Sequence, residues 1–401
     1  MRIATETLFR HFLGQMGARQ AEVLDLQQQI SSGRRLDRAA DDPIAAARVL
    51  DLEQSLGRLE QHRRNIDFAR ARLGDEEAAL AAAGDVLQRV RELAVSAANL
   101  GAHSADSFVA LRAELETHVA QLFQIANRRD AQGRYLFAGF SAAVRPFDGP
   151  PDAAVYNGDQ GRPEVEIAPG RRVAVADPGF AVFGSIREGN GVFRVGADAA
   201  NAGTGRIVDG GLVDPAVYLP HDFRIVFTAA DRYDLIDDTT GTVLASGAVY
   251  TPGAPIVFNG VGVVIDGAPA IGDTFTVRAA RGRDVFGMVQ ELVDLLGAPP
   301  VDEAARVRFV QTVDGVLQNL DQAIGRLLEV RTDLGARLVA LDQAEAENEA
   351  VQAAFTTELG RLRDTDLPEA ISRLQWALTT LDAAQRSFVA IERLSLFDHL
   401  R

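Results

Sequence analysis

The sequence contains no cysteine and no lysine; all 41 of its basic residues are arginine. Without Cys there can be no disulfide, no thiolate nucleophile and no Cys-ligated metal. Without Lys there is neither a Walker-type phosphate loop nor a Schiff-base amine. No uncharged apolar run is long enough to cross a bilayer, and Met1–Gln15 lacks the apolar core of a signal peptide. If the chain leaves the cell, the expectation is export without a cleaved signal peptide. A Cys-free composition suits the cytosol and a bacterial exterior equally.

Basic surplus is also missing. The formal charge is −15 over 401 residues. Residues 1–140 carry 18 Arg against 19 acids, residues 141–283 carry 12 against 17, and residues 284–401 carry 11 against 20. The three parts are therefore −1, −5 and −9. A chain with this balance has no electrostatic footprint for nucleic acid or an anionic membrane.

What the sequence does have is two long heptad repeats. Leu52, Leu59, Ile66, Leu73, Leu80, Leu87 and Ala94 lie seven apart, as do Val313, Leu320, Leu327, Leu334, Leu341, Asn348, Phe355 and Leu362. A repeat held this long specifies helices that pair as a coiled coil. Shorter stripes occupy the two ends: Phe9, Phe12, Met16, Val23 and Ile30, then Leu367, Ile371, Leu374, Leu378, Leu381 and Phe388. Helix boundaries follow from local chemistry. Gly33 can close the first helix in the left-handed conformation, and Asp42-Pro43 can open the next. Asp302 is placed to cap the long helix that follows it, and the last stripe begins at Asp366.

The pattern changes after Gly133. Tyr135-Leu136-Phe137 reads as a strand leading into a hairpin. Residues 141–283 hold 21 of the 36 Gly and 11 of the 15 Pro, with short β-branched runs between turn signals. That spacing predicts an antiparallel sandwich or barrel. The expected fold is α+β: a long antiparallel α-helical coiled-coil rod formed by both chain ends, with an inserted antiparallel β domain. Its expected parts are residues 1–140 (terminal helix 2–30, shaft helices 43–99 and 104–130), a small β extension at 141–183, an outer β domain at 184–283, and residues 284–401 (shaft helix 302–363, terminal helix 366–399).

Catalytic patterns are weak. The six His are scattered, with no helical pair at metal-ligand spacing. Gly139-Phe140-Ser141 has Ala143 where a nucleophile elbow needs its second Gly. The acidic turn Asp234–Asp238 departs from a calcium-loop spacing and reads first as a solvated hairpin tip. No catalytic, cofactor-binding or metal-binding residue is expected, and no enzyme.

Ser31-Ser32-Gly33-Arg34-Arg35-Leu36 followed by Ala40-Asp41-Asp42-Pro43 resembles the signature turn of the bacterial flagellin superfamily. Tyr135-Leu136-Phe137-Ala138-Gly139, Pro146-Phe147 and Tyr156-Asn157-Gly158-Asp159 resemble the start of the β region in its hook-associated branch. The ending, Ala384 to Phe388 and Leu394-Ser395-Leu396-Phe397-Asp398-His399-Leu400, is similar to the termini of that branch's hook–filament junction family. Filament flagellin, the nearest alternative, typically has Asp-Asp-Ala at the turn and another tail. A cytosolic coiled-coil scaffold, the other alternative, leaves the β insert without a role.

The resemblance implies an extracellular structural subunit of the flagellum, exported through the type III apparatus with an export chaperone. It would stand in a ring of identical subunits between hook-associated protein 1 and flagellin. The signature turn would be Gly33, Arg34, Asp41, Asp42 and Pro43. The terminal stripes are each too narrow to be stable alone. They are expected to pair with each other and with neighbouring subunits only on assembly, through Phe9, Phe12, Met16, Val23, Ile30, Ile371, Leu374, Leu378, Leu381, Phe388, Leu396 and Phe397.

Overall fold

Six α-helices flank a β insert in the computed structural model, which describes residues 2–102 and 104–397. The side chains of Phe9, Leu396 and Phe397 lie outside what it describes. The helices are α1 (Arg2–Ser32), α2 (Pro43–Ala98), α3 (Ala105–Ala126), α4 (Val285–Leu296), α5 (Glu303–Arg363) and α6 (Leu367–Phe397). Their starts are capped by side chains that accept otherwise orphaned amides. Asp42 Oδ1 accepts from Ala45 N at 3.0 Å, Asp284 from Gly287 N at 2.7 Å, Asp302 from Ala305 N at 2.7 Å and Asp366 from Glu369 N at 3.1 Å. Ser104 and Ser107 form a reciprocal capping box on α3. The chain forms two compact units, one of residues up to Arg64 and from Gln343 onward, the other Asn65–Asp342.

In the second unit α2 and α5 run antiparallel. Arg70 pairs with Asp342 at 2.9 Å, Arg331 with Glu77 at 2.6 Å and Arg91 with Asp321 at 2.7 Å, the partner number falling as the first rises. Between these ion pairs lies the heptad seam. Ile66, Leu73, Leu80, Leu87 and Ala94 on α2, and Val313, Leu320, Leu327, Leu334 and Leu341 on α5, are all at most 2% exposed. Burial of each Leu or Ile contributes roughly 1.5–3 kcal/mol, whereas each half-exposed ion pair contributes about 0–1 kcal/mol. The seam supplies the stability, and the charges discriminate between registers. Helix α3 closes on this pair through Arg89–Glu114 (2.8 Å) and the Phe108–Phe309 ring contact, and meets α4 through Phe123–Phe286 at 4.2 Å.

The β strands are β1 (Phe147–Asp148), β2 (Val155–Tyr156), β3 (Glu164–Ala168), β4 (Arg171–Ala174), β5 (Ile186–Arg187), β6 (Phe193–Ala197), β7 (Arg206–Leu212), β8 (Phe223–Ala229), β9 (Arg232–Asp237), β10 (Thr242–Val249), β11 (Pro255–Phe258), β12 (Val261–Asp266), β13 (Thr274–Ala279) and β14 (Gly282–Arg283). Every pairing is antiparallel. A five-stranded sheet, order β10-β9-β8-β13-β6, and a three-stranded sheet, order β11-β12-β7, share one core. Alternate residues point into it: Phe223, Ile225 and Phe227 from β8, Val261, Val263 and Ile265 from β12, Phe275 and Val277 from β13. This is the sandwich the turn spacing predicted. β5 and β14 pair where the chain enters and leaves it.

The fold class is thus α+β, with long helices from both chain ends and an inserted antiparallel β domain. One expectation fails locally. Tyr135-Leu136-Phe137 forms no strand: a single bridge joins Arg129 to Tyr135, and the amides go to separate acceptors, Tyr135 N to Ala142 O and Leu136 N to Arg128 O. Leu136, Phe137 and Ala138 are buried on consecutive positions, which an alternating strand cannot do with one face in solvent.

A buried polar cluster ties α2 and α5 to the segment after β4. Arg337 holds Asp177 through two bonds of 2.8 and 3.1 Å, and Arg162 Nε reaches the same carboxylate at 3.1 Å. Glu76, fully buried on α2, accepts from Asp177 N at 3.2 Å, and its Oε2 has no partner. Burial first, and then the Asp177 carboxylate, push Glu76 up to about 8. Because that lies above the value of an unfolded carboxyl, the contribution of Glu76 is fully present below about pH 4.5 and is lost as pH rises through 8. Urea unfolding at pH 5, 7 and 9 is expected to show Glu76→Gln gaining on the wild type with pH, by an amount on the order of a few kcal/mol. A difference independent of pH would show that Glu76 is already ionised.

Candidate assembly surface

The two ends of the chain meet as an antiparallel pair. Phe12 on α1 faces Phe388 on α6 with ring centroids 5.9 Å apart, while Val23 and Leu26 close on Ala377, with Leu374 and Leu381 packed alongside. The face of α6 that makes this contact is Ala370, Leu374, Ala377, Leu381, Ala384 and Phe388, in alternating steps of four and three. Small residues recur every seven positions, and large ones do so between them. The Ala positions let the helix backbones approach, and the large ones fill the space beside them. The large residues of this seam were among those named from the sequence, but Ala370, Ala377 and Ala384 were missed because a stripe drawn only through large apolar residues passes over them.

That geometry corrects the expectation that the terminal helices pair only on assembly: they pair within one chain. It also divides the candidate packing residues. Phe12, Met16, Ile30, Leu374, Leu381 and Phe388 are half-buried and Val23 is buried on the intramolecular side. Ile371 and Leu378 are not on it. With Leu367 and Val389 they form a second stripe along the flank of α6, each between 44% and 46% exposed. Leu13 and Leu24 are likewise open on α1. The inner seam therefore covers only part of the apolar surface of these two helices. Trp376, the only Trp of the chain, is 76% exposed beside the buried Ala377.

The signature turn sits where α1 gives way to α2, and it is fastened to the turn between α5 and α6. Gly33 takes φ +70°, a conformation that is cheap only for Gly, and its amide closes α1 by donating to Gln29 O at 2.9 Å. Its carbonyl accepts from Thr365 N at 3.0 Å, Arg35 N donates to Arg363 O at 2.7 Å, and Arg34 bridges to Asp364. The Arg35 guanidinium donates to Leu362 O at 2.7 Å, satisfying a carbonyl at the free end of α5. Asp41 Oδ2 accepts from Arg38 N at 2.9 Å, folding the loop back, and Asp42 with Pro43 begins α2. Through these bonds the turn aligns α1 with α6, joining the chain immediately after one to the chain immediately before the other.

The second sequence block, Tyr135 to Asp159, is drawn together in the second unit. Tyr156 Oη donates towards Phe137 O at 3.0 Å and Asp159 O at 2.7 Å. Asp159 accepts from Phe140 N, Gly161 N and both the amide and hydroxyl of Ser141, at 2.7 to 2.9 Å. These bonds, led by the Phe140 amide, hold its carboxyl below the ordinary range. Gly139, at φ +66°, leaves room for that carboxylate: a Cβ there would meet Asp159 Oδ1 at 2.3 Å. Phe183 and Phe286 pack edge-on against Phe147, whose ring lies 5.1 Å from that of Tyr156, and Phe137 meets Phe183 edge-on. Gly139-Phe140-Ser141 is thus a carboxylate-fastened turn, not a nucleophile elbow.

Asp237, at the acidic hairpin tip, is engaged by His221 Nδ1 at 2.8 Å and by the amides of Thr239 and Thr240. Among the described residues no group of three or more His, Asp or Glu is placed to hold a metal ion, and no helix is long and apolar enough to cross a membrane.

Comparison with known proteins agrees with the sequence blocks. The bacterial flagellin N-terminal helical region matches residues 3–142. The crystal structure of FlgL from Xanthomonas campestris is similar at 32% identity and a TM-score of 0.71, over 77% of this chain and 99% of that one. The flagellar junction protein FlgL from Legionella pneumophila aligns at 28% identity and a TM-score of 0.70, over 78% of this chain and all of that one. Flagellar hook-associated protein 3 of Salmonella typhimurium is 31% identical over 186 residues, which span 46% of this chain and 58% of that protein's length.

Substituting Ala377 by Glu places an unpaired charge in the α1–α6 seam and is expected to cost roughly 2 kcal/mol or more. Hydrogen exchange should then show α1 and α6 losing protection while Asn65–Asp342 keeps it. Trp376→Glu, one residue away but exposed, should leave the pattern unchanged. Equal effects of the two would place the seam elsewhere.

Proposed function

Because this chain belongs to the FlgL family, flagellar hook-associated protein 3, we propose that it is the structural subunit joining the flagellar hook to the flagellin filament. In this reading identical subunits form a ring that meets hook-associated protein 1 on one side and flagellin on the other. The subunit works outside the cell as part of the flagellum. It is exported with the help of a flagellar export chaperone, and it catalyses nothing. Residues 184–283 serve as the outer domain, and residues 141–183 as a small β extension of the helical part.

The observation that carries this reading is the second apolar stripe of α6. Leu367, Ile371, Leu378 and Val389 remain open although the helix already has an intramolecular partner. Four large apolar side chains on one helix flank, each a little under half exposed, are worth roughly 0.7–1.5 kcal/mol each when covered. A neighbouring copy that covers them gains without having to break the α1–α6 seam. Val23, Leu26 and Ala377 therefore hold the ends together, and Ile371 and Leu378 join copies. Filament flagellin is the nearest rival. The Asp41-Asp42-Pro43 turn and the Ser395-Leu396-Phe397 ending, with the overall likeness to FlgL structures, favour the junction subunit.

The test is the double variant Ile371→Asp with Leu378→Asp, expressed in cells whose own copy is deleted. The purified variant is expected to keep wild-type protection in α1 and α6, and the cells to carry hooks without filaments and shed flagellin into the medium. Motile cells with normal filaments would remove the second stripe from the proposal.

A further inference from the structure

On the outer face of the five-stranded sheet, β6 and β13 set two like charges directly opposite each other: Arg194 pairs in register with Arg278, and Gly196 with Thr276 two residues on. Like charges in this position repel, so the arrangement needs a counter-charge. Arg194 has two, Glu188 at 3.2 Å and Glu291 at 2.5 Å. Arg281, which follows β13, is paired with Asp222 at 2.9 Å. Arg278 has none; among the described residues its guanidinium makes no ion pair and no hydrogen bond, and it is exposed to solvent.

These residues border a hollow of about 350 Å³ that Gly196, Thr276 and Asp198 also line. Gly196 contributes no side chain, and the Thr276 hydroxyl, 3.1 Å from where a Cβ on Gly196 would stand, is also without a partner among the described residues. Asp198 uses one oxygen to accept from Ala200 N at 2.9 Å, leaving the other towards solvent. The hollow thus combines a free planar cation, a free hydroxyl and a carboxylate with spare acceptor capacity. Its size is at the lower end of what small-molecule sites occupy.

We propose that this hollow binds a sugar acid, a saccharide unit bearing one carboxylate and several hydroxyls. The Arg278 guanidinium presents the fork that matches a carboxylate with two parallel bonds. Sugar hydroxyls, which both donate and accept, suit Thr276 and Asp198. A plain inorganic anion would meet Asp198 and Glu188 as like charges, and a neutral sugar would leave Arg278 unused. The mixed lining selects the molecule that carries both groups. The site stands apart from the helical ends and does not depend on the role proposed for them.

Saturation-transfer NMR on the full-length chain, with glucuronate as probe and glucose and sulfate in parallel, tests this. Glucuronate is expected to give a saturable signal with a Kd on the order of 1 mM. Arg278→Ala should weaken it at least tenfold, Arg278→Lys should recover only part of it, and glucose should give none. The variants are solvent-exposed changes, and circular dichroism should match the wild type. No saturable glucuronate signal, an unchanged signal in Arg278→Ala, an equal signal from glucose, or displacement by sulfate at equal concentration would overturn the proposal.

Discussion

A long helix with one apolar stripe is stable in water only if another helix covers that stripe, and in this chain the cover is always supplied by the opposite end of the sequence. In the second unit the cover is complete, for the ten heptad residues from Ile66 to Ala94 and from Val313 to Leu341 are closed to solvent. At the chain ends it is partial: Val23, Leu26 and Ala377 are shut in, and the residues around them are half-open. The same physical rule therefore gives two outcomes. In the second unit Leu and Ile are closed to solvent together with small residues such as Ala69, Ala83 and Ala323. At the chain ends the pair forms but leaves apolar surface beside it.

Polar groups decide how the parts are registered. Exposed pairs such as Arg70–Asp342 and Arg91–Asp321 add little stability, and a slip by one heptad would keep only one of the two, leaving Arg91 opposite Leu328 or Arg70 opposite Gly335. The turn at Gly33–Arg35 does the corresponding work for the terminal helices with backbone bonds, joining the segment after α1 to the segment before α6. Deeper in, Asp159 and Asp177 organise irregular chain by accepting several donors each, so that stretches without regular ladders are still well bonded.

Most of the helical architecture was legible because heptad spacing and Asp caps act locally: Asp42 and Asp302 each lie directly before the helix they start, while Asp366, read as the first residue of the last helix, is its cap. The sandwich was legible from alternation in strands such as Phe223–Ala229. Strands β7 and β11 were not, since Gly210-Gly211 and Pro255 are poor strand formers and their pairing with β12 is set by tertiary contact. Tyr135–Phe137 misled because consecutive burial imitates a strand when only residue type is read. Nor could the sequence say which face of α6 turns to α1. The stripe through Ile371 and Leu378 is as apolar as the one chosen, and what decides is that Ala370, Ala377 and Ala384 admit a close neighbour.

In the proposed assembly the chain ends are paired before any other copy arrives. The absence of Cys makes this directly measurable, since two engineered thiols would be the only ones to label. Nitroxides at Gln20 on α1 and Thr379 on α6, both exposed, would report their separation by double electron–electron resonance in the isolated chain and again in the assembled flagellum. One short, narrow distance in both states is the predicted result. A broad distribution in the isolated chain that sharpens only on assembly would contradict it.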